Sequence, residues 1–192
     1  LRWRWCMAAR PETREQAFTR RDGSEVTAQM MRQRGAWVVG EGDDYQAVEL
    51  PYQGERIRMV AILPAAGRLA EFERSLDAPR LSAVLRSLKR EEDVALLIPK
   101  FKFEAGYKLE EVLPGMGMPD VFDPDRADLS GMYEPDQLPL FLKYVVHKAF
   151  VAVDEKGTEA AAATAAIAEA VSMPLTVVFD RPFIFLIRDA ET

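Results

Sequence analysis

Gly157-Thr158-Glu159-Ala160-Ala161-Ala162-Ala163-Thr164-Ala165-Ala166-Ile167-Ala168-Glu169-Ala170-Val171 is the stretch on which the fold of this chain turns. Alanine is the best helix former, so the tract can be read as a helix. Only Ile167 and Val171 are large and apolar, however, which leaves such a helix little with which to pack. Parity offers a second reading. Thr158, Ala160, Ala162, Thr164, Ala166 and Ala168 form an alternating set that is small and uncharged, while Glu159 and Glu169 fall in the opposite set. In an extended strand, one face would be narrow and neutral and the other could carry charge in water. Such a strand could slide between two others without burying a charge. On the residues alone both readings stay open.

Upstream, Leu140 to Glu155 is the strongest strand pattern in the sequence. Val145, His147, Ala149, Val151 and Val153 line one face, and Tyr144, Val146, Phe150 and Ala152 the other. A run apolar on both faces is expected inside a sheet covered on both sides. His147, the only histidine, is expected to be structural and hydrogen-bonded there. Downstream, Leu175 to Phe179 and Phe183 to Ile187 read as two strands separated by Arg181-Pro182.

Further from the tract, Tyr45 to Leu50 and Arg56 to Leu63 flank Pro51-Tyr52-Gln53-Gly54-Glu55 and predict an antiparallel hairpin. Leu69, Phe72 and Leu76 form one helical stripe; Leu81, Val84, Leu85 and Leu88 form another. Asp77-Ala78-Pro79 between them carries an N-cap candidate and an early proline. Asp93 to Phe103 is strand-like, with Pro99 implying an edge or bend. Leu109, Val112 and Leu113 predict a brief helix ended by Pro114-Gly115, and Pro119 to Pro139 a structured loop. Met116 and Met118 are expected in the core. Leu1 to Trp5 has the pattern of a strand's tail, and Arg10 to Thr19 is polar without a clear period. Arg21-Asp22-Gly23-Ser24 has turn chemistry, and Glu25 to Val39 is ambiguous, with Val26, Ala28 and Met30 alternating. The class is α+β, predominantly antiparallel sheet with a few helices.

Composition narrows the chemistry. The 192 residues are 48% apolar and 29% charged, which is globular. A net charge of −6 argues against a nucleic-acid partner, and no apolar run approaches the ~20 residues that span a bilayer. One cysteine, Cys6, and one histidine leave a disulfide framework, a zinc site or a Ser-His hydrolytic pair without their residues.

Five motifs, in order and with matching gaps, carry a specific resemblance. They are Ile98-Pro99-Lys100-Phe101, Ala127-Asp128-Leu129-Ser130-Gly131, Val146-His147-Lys148-Ala149, Val153-Asp154-Glu155-Lys156-Gly157-Thr158-Glu159-Ala160-Ala161 and Asp180-Arg181-Pro182-Phe183-Ile184-Phe185. Together they resemble the serpin family of protease inhibitors over essentially the whole chain. The resemblance implies that residues 1–192 are the C-terminal portion of a single serpin domain. It also implies a comparable length before Leu1, a closing strand after Thr192, and an exposed reactive loop at about 157–176.

By the same resemblance Val146-His147-Lys148-Ala149 and the motif that follows from Val153 are the end of the fifth strand of the main sheet and its hinge, the hinge being Gly157, Thr158, Glu159, Ala160, Ala161, Ala162 and Ala163. Fifteen residues counted from the hinge glycine place the reactive bond at Val171-Ser172. The family's mechanism is that of a suicide substrate, in which cleavage is followed by insertion of the loop into the main sheet. Val171 implies an elastase-like serine protease as partner. The resemblance further implies a secreted monomer with no cofactor, and a contact between Lys100 and Glu155 that would otherwise be two solvated charges. The hinge argues against the alternative, a non-inhibitory binding or chaperone-like relative, because it lacks bulky, charged or proline residues at the small-residue positions. A second alternative is that the isolated chain is inactive, since the loop needs both neighbouring strands to insert.

Overall fold

The computed structural model describes residues 12–52, 54–132, 140–154 and 173–191. They divide into two compact units: one of residues up to Phe101 together with those from Val153 onward, the other Lys102–Ala152. Each is described by itself.

The first unit is built on a seven-stranded sheet. Its strands are β1 (Glu12–Thr19), β2 (Glu25–Gly42), β3 (Tyr45–Pro51), β4 (Ile57–Pro64), β5 (Lys89–Pro99), β8 (Leu175–Val178) and β9 (Ile184–Asp189). The order is β8-β5-β2-β3-β4-β9, with β1 pairing β2 beside this path. β2 is long enough to serve two neighbours on one side. Its first half pairs Arg32 with Glu12 through Glu25 with Thr19, and its last residues pair Val38 with Glu49 through Gly42 with Tyr45. Its other side follows β5, with a register shift between Gly35 and Trp37 that bends the strand.

The predicted hairpin is β3–β4, with Leu50 opposite Met59 and Ala47 opposite Ile62. Tyr52 N–H donates to the Ile57 carbonyl at 2.9 Å, and Gly54 takes φ +93°, a conformation glycine adopts without penalty. Both predicted helices form, as α1 (Leu69–Ser75) and α2 (Ala78–Ser87). Asp77 caps α2, its side chain accepting from Arg80 N at 2.8 Å. The helices close one face of the hairpin: Phe72 and Val84 pack with Ala47, Val60 and Ile62 in a cluster joined by Ile184 and Leu186. Complete burial of a side chain such as Phe72 stabilises by about 1.5–3 kcal/mol.

β1 forms where the polar, aperiodic sequence from Arg10 to Thr19 predicts no element. The segment is mostly exposed and therefore polar, and it becomes a strand because β2 offers it an edge. Glu25 to Val39, ambiguous in sequence, is strand throughout.

The second unit holds most of β6 (Phe101–Lys108) and β7 (Val146–Val153), a two-stranded sheet. Tyr107 stacks on His147, Lys102 lies over the Phe150 ring, and Leu109 N–H donates to the Val145 carbonyl, so the strands run antiparallel. The strand predicted from Leu140 begins only at Val146. The expectation of cover on both faces is not met among the described residues: Tyr107, Val146 and Phe150 are all exposed. The helix expected at Leu109 to Leu113 is a single turn, with Leu113 N–H bonded to the Leu109 carbonyl. Pro114 then opens a 3-10 turn rather than ending a helix, and Gly117 at φ +101° closes it. Met116 and Met118 stand out in solvent, not in the core; Met116 is 73% exposed. The predicted loop carries two further 3-10 turns, Asp120–Phe122 and Ser130–Met132.

Candidate functional site

The hinge Gly157–Ala163 and the reactive bond Val171-Ser172 lie outside the described residues, as does Glu155. What the structure places is the chain on either side of them. On the upstream side β7 ends in Val153, which is buried, followed by the exposed Asp154. β7 has one strand neighbour among the described residues, β6.

The downstream side passes from solvent to a fixed anchor within a few residues. Met173 is 94% exposed, whereas Val177 and Phe179 are fully buried. β8 pairs in parallel with β5, Leu175 opposite Val94 and Val178 opposite Leu97, and Phe179 N–H donates to the Leu97 carbonyl at 2.9 Å. Beyond it, the Asp180 carbonyl accepts from Thr19 N at 2.8 Å. The Arg181 side chain bridges the Pro64 carbonyl at 3.1 Å and the Asp180 carboxylate at 2.8 Å. Three phenylalanines close the anchor: Phe183 meets Phe179 edge-on at 5.0 Å, and Phe101 edge-on at 5.7 Å. The motif Asp180-Arg181-Pro182-Phe183, noticed in sequence as a pattern, is thus a clamp.

Next to the start of β8, Arg34 on β2 grips Asp93 on β5 with two hydrogen bonds of 2.6 and 2.8 Å. This fork, followed by the attraction of the guanidinium's charge, holds the Asp93 carboxyl below its ordinary value.

One other predicted residue departs from expectation, and a second has its expected partner outside the described residues. His147 is exposed and stacks on Tyr107 at 6.3 Å, rather than being hydrogen-bonded in a covered sheet. Lys100 is partly buried, its backbone N–H bonded to the Gln29 carbonyl at 2.8 Å; its expected partner Glu155 falls outside the described residues. Among the described residues no group of histidine, cysteine and acidic side chains has the geometry to hold a metal ion. No helix among them is long and apolar enough to cross a membrane.

One constellation was missed in sequence. Glu49, almost fully buried on β3, binds Arg58 on β4 and Arg188 on β9, each at 2.6 Å. Its signal was a lone charge within the apolar run Ala47-Val48-Glu49-Leu50.

The architecture matches known proteins. The family described as Serpin (serine protease inhibitor) matches residues 9–192. A serpin-like protein of Thermococcus kodakarensis is 43% identical over 187 residues, covering 94% of this chain and 42% of that protein. Human antithrombin-III is 37% identical over 195 residues, covering 96% of this chain and 41% of its own length. Among solved structures, the thermophilic serpin tengpin in its native state superposes with a TM-score of 0.75 at 31% identity. That match covers 99% of this chain and 49% of tengpin. The chain spans less than half the length of each of these relatives. With the family pattern matched over nearly its whole length and the fold shared, this chain belongs to the serpin family.

Proposed function

We propose that the chain is the loop-bearing half of a serine protease inhibitor that acts as a suicide substrate. One observation carries this reading: β7 has a strand on one side only, among the described residues, while β8 is clamped in its sheet. A segment that runs from the first to the second and is cut near its far end is free to add itself to β7 as a new neighbour.

The protease's serine attacks the Val171 carbonyl, the Ser172 amine leaves, and an acyl-enzyme remains on Val171. Gly157–Val171, released at that end, extends to about 50 Å at strand spacing. As a strand its small set, Thr158, Ala160 and Ala162, faces the sheet's interior side and Glu159 the opposite one. Each net hydrogen bond contributes about 0.5–1.5 kcal/mol, so a full ladder drives the insertion. This transition is the family's own and comes to this chain by membership. The bound protease is carried away before water can release it. Val171 directs the bait to an elastase-like enzyme with a small apolar pocket, and family membership favours a secreted inhibitor.

The exposed apolar faces of β6 and β7 favour a second statement, that residues 1–192 in isolation do not inhibit. Covering those faces and flanking the inserted strand would fall to other segments of the intact protein.

The test is incubation of the intact protein with pancreatic elastase. A complex that survives boiling in detergent, with mass spectrometry placing the cut after Val171, supports the reading. A cut elsewhere removes the assigned bond; cleavage without a complex, or with no rise in melting temperature of the cleaved form, removes the inhibitor.

A further inference from the structure

A cleft of about 340 Å³ lies in the first unit. Its walls come from three places: the β1–β2 turn, the connection from β4 into α1, and the Arg181-Pro182 clamp. The volume is at the lower end of the range for small-molecule sites. Pro64, Leu69, Ala70 and Pro182 give it an apolar lining, and Arg20, Arg21 and Arg181 stand around it. No acidic side chain is among the residues that line it.

The three arginines are not equivalent. Arg181 is committed to Asp180 and the Pro64 carbonyl, and Arg21 to Glu73 at 2.8 Å. The Arg20 side chain makes no hydrogen bond or ion pair with a described residue. The nearby acid, Asp22, is itself engaged: Ser24 donates to it through Oγ at 2.6 Å and N–H at 2.9 Å. Those bonds hold the Asp22 carboxyl below its ordinary value, with a smaller contribution from the charge of Arg20. The cleft thus combines an apolar lining with a cation, Arg20, whose side chain is held by no hydrogen bond or ion pair from a described residue and only feels the charge of Asp22.

We propose that this cleft binds a small amphipathic carboxylate, its apolar body along Leu69, Ala70 and Pro182 and its carboxylate on Arg20. An inorganic anion would leave the apolar floor unused, and a neutral apolar molecule would leave Arg20 unpaired. A charge-assisted hydrogen bond to a guanidinium supplies the orientation.

Calorimetric titration of the intact protein with octanoate and with 1-octanol separates these contributions, since the two share a body and differ in charge. Octanoate is expected to bind about tenfold more tightly, the worth of one hydrogen bond to a charged group. Arg20→Ala should erase that preference while leaving octanol binding unchanged, and Arg20→Lys should keep part of it. Ala70→Trp, which fills the floor, should abolish binding of both. Methyl resonances of Ala65, Ala66 and Ala70 should shift with octanoate, which locates the site even where a variant folds poorly. Absence of saturable binding, as when another segment of the intact protein fills the cleft, overturns the proposal. So does a preference that survives Arg20→Ala, or shifts confined to other residues.

Discussion

Arg58 and Arg188 stand directly opposite one another on β4 and β9, two like charges in one register, and both reach the carboxylate of Glu49. Like charges facing each other across a sheet repel. The pair is tolerated because Glu49 lies between them, 3% exposed, on the sheet face that the helices cover further along. The arginines keep about a third of their surfaces in water, so each pays only part of the desolvation that Glu49 pays in full.

The first prediction follows from that asymmetry. Glu49→Gln removes the one anion and leaves two cations facing each other, and should destabilise the intact protein by about 3 kcal/mol, as for a broken buried pair. Arg58→Met or Arg188→Met leaves Glu49 with its other partner and should cost less. Urea midpoints of the three variants decide the order. An arginine variant less stable than Glu49→Gln would refute this account of the triad.

A second prediction concerns Gly40, where β2 passes the end of α2. A Cβ built there would overlap Ser87 Oγ and approach the Ser87 carbonyl carbon to 3.0 Å and Leu88 N to 3.1 Å. The Ser87 hydroxyl cannot simply swing away, since it donates to the Val84 carbonyl at 2.8 Å and accepts from the Tyr45 hydroxyl at 3.2 Å. Gly40→Ala should therefore cost about 1–3 kcal/mol by overpacking. Adding Ser87→Gly should recover only part of it, because the backbone atoms remain in the way. Full recovery in thermal melts would show that the hydroxyl alone made the site tight.

The residues that built the first unit were largely legible. Apolar runs bounded by turn residues marked β3, β4 and β9, period-three-to-four stripes marked α1 and α2, and Asp77 announced its cap. β1 was not legible, because an edge strand exposed on both faces has no apolar period; its partner β2 makes it a strand. Met116, Met118 and the face of β7 that carries Val146 and Phe150 run in the opposite sense. Apolar side chains were assumed to be covered, and in the described residues they are not. At the site, the motif around Arg181 could be seen but its clamp could not. A guanidinium reaching a carbonyl 117 positions away leaves no periodic trace.

The third prediction is a pH dependence at the entry to β8. The Arg34 fork holds the Asp93 carboxyl below its ordinary value of 3.8, so the folded form binds the proton more weakly than the unfolded form. The stabilisation is therefore complete above about pH 4 and fades as pH falls through the lowered folded value. Arg34→Gln should flatten this part of the acid limb of a stability–pH curve by lowering its neutral plateau, a small drop as expected for a largely exposed pair, with the two curves meeting at low pH. An acid limb identical in both proteins would remove Asp93 from the account.

The last prediction tests the alternation of the alanine tract itself. If Gly157 onward enters the sheet as a strand, Thr158, Ala160 and Ala162 point to one side and Glu159 to the other. A charge carried into the covered side costs several kcal/mol unless it is paired, which slows insertion. Ala160→Arg or Ala162→Asp should then let water release the protease first: cleaved inhibitor accumulates, the covalent complex disappears, and more inhibitor is consumed per enzyme blocked. Glu159→Arg, one position away, should leave that stoichiometry unchanged, because its side chain remains on the side that already carries a charge. The comparison is internal, since all three variants alter the same short tract and none changes the bond at Val171-Ser172. Equal losses at positions 159 and 160 would mean that the tract does not act as an alternating strand, whatever the fate of the protease. Loss at 160 and 162 with full activity at 159 is an outcome that a helical tract has no reason to give, because neighbouring helical positions do not divide by odd and even number.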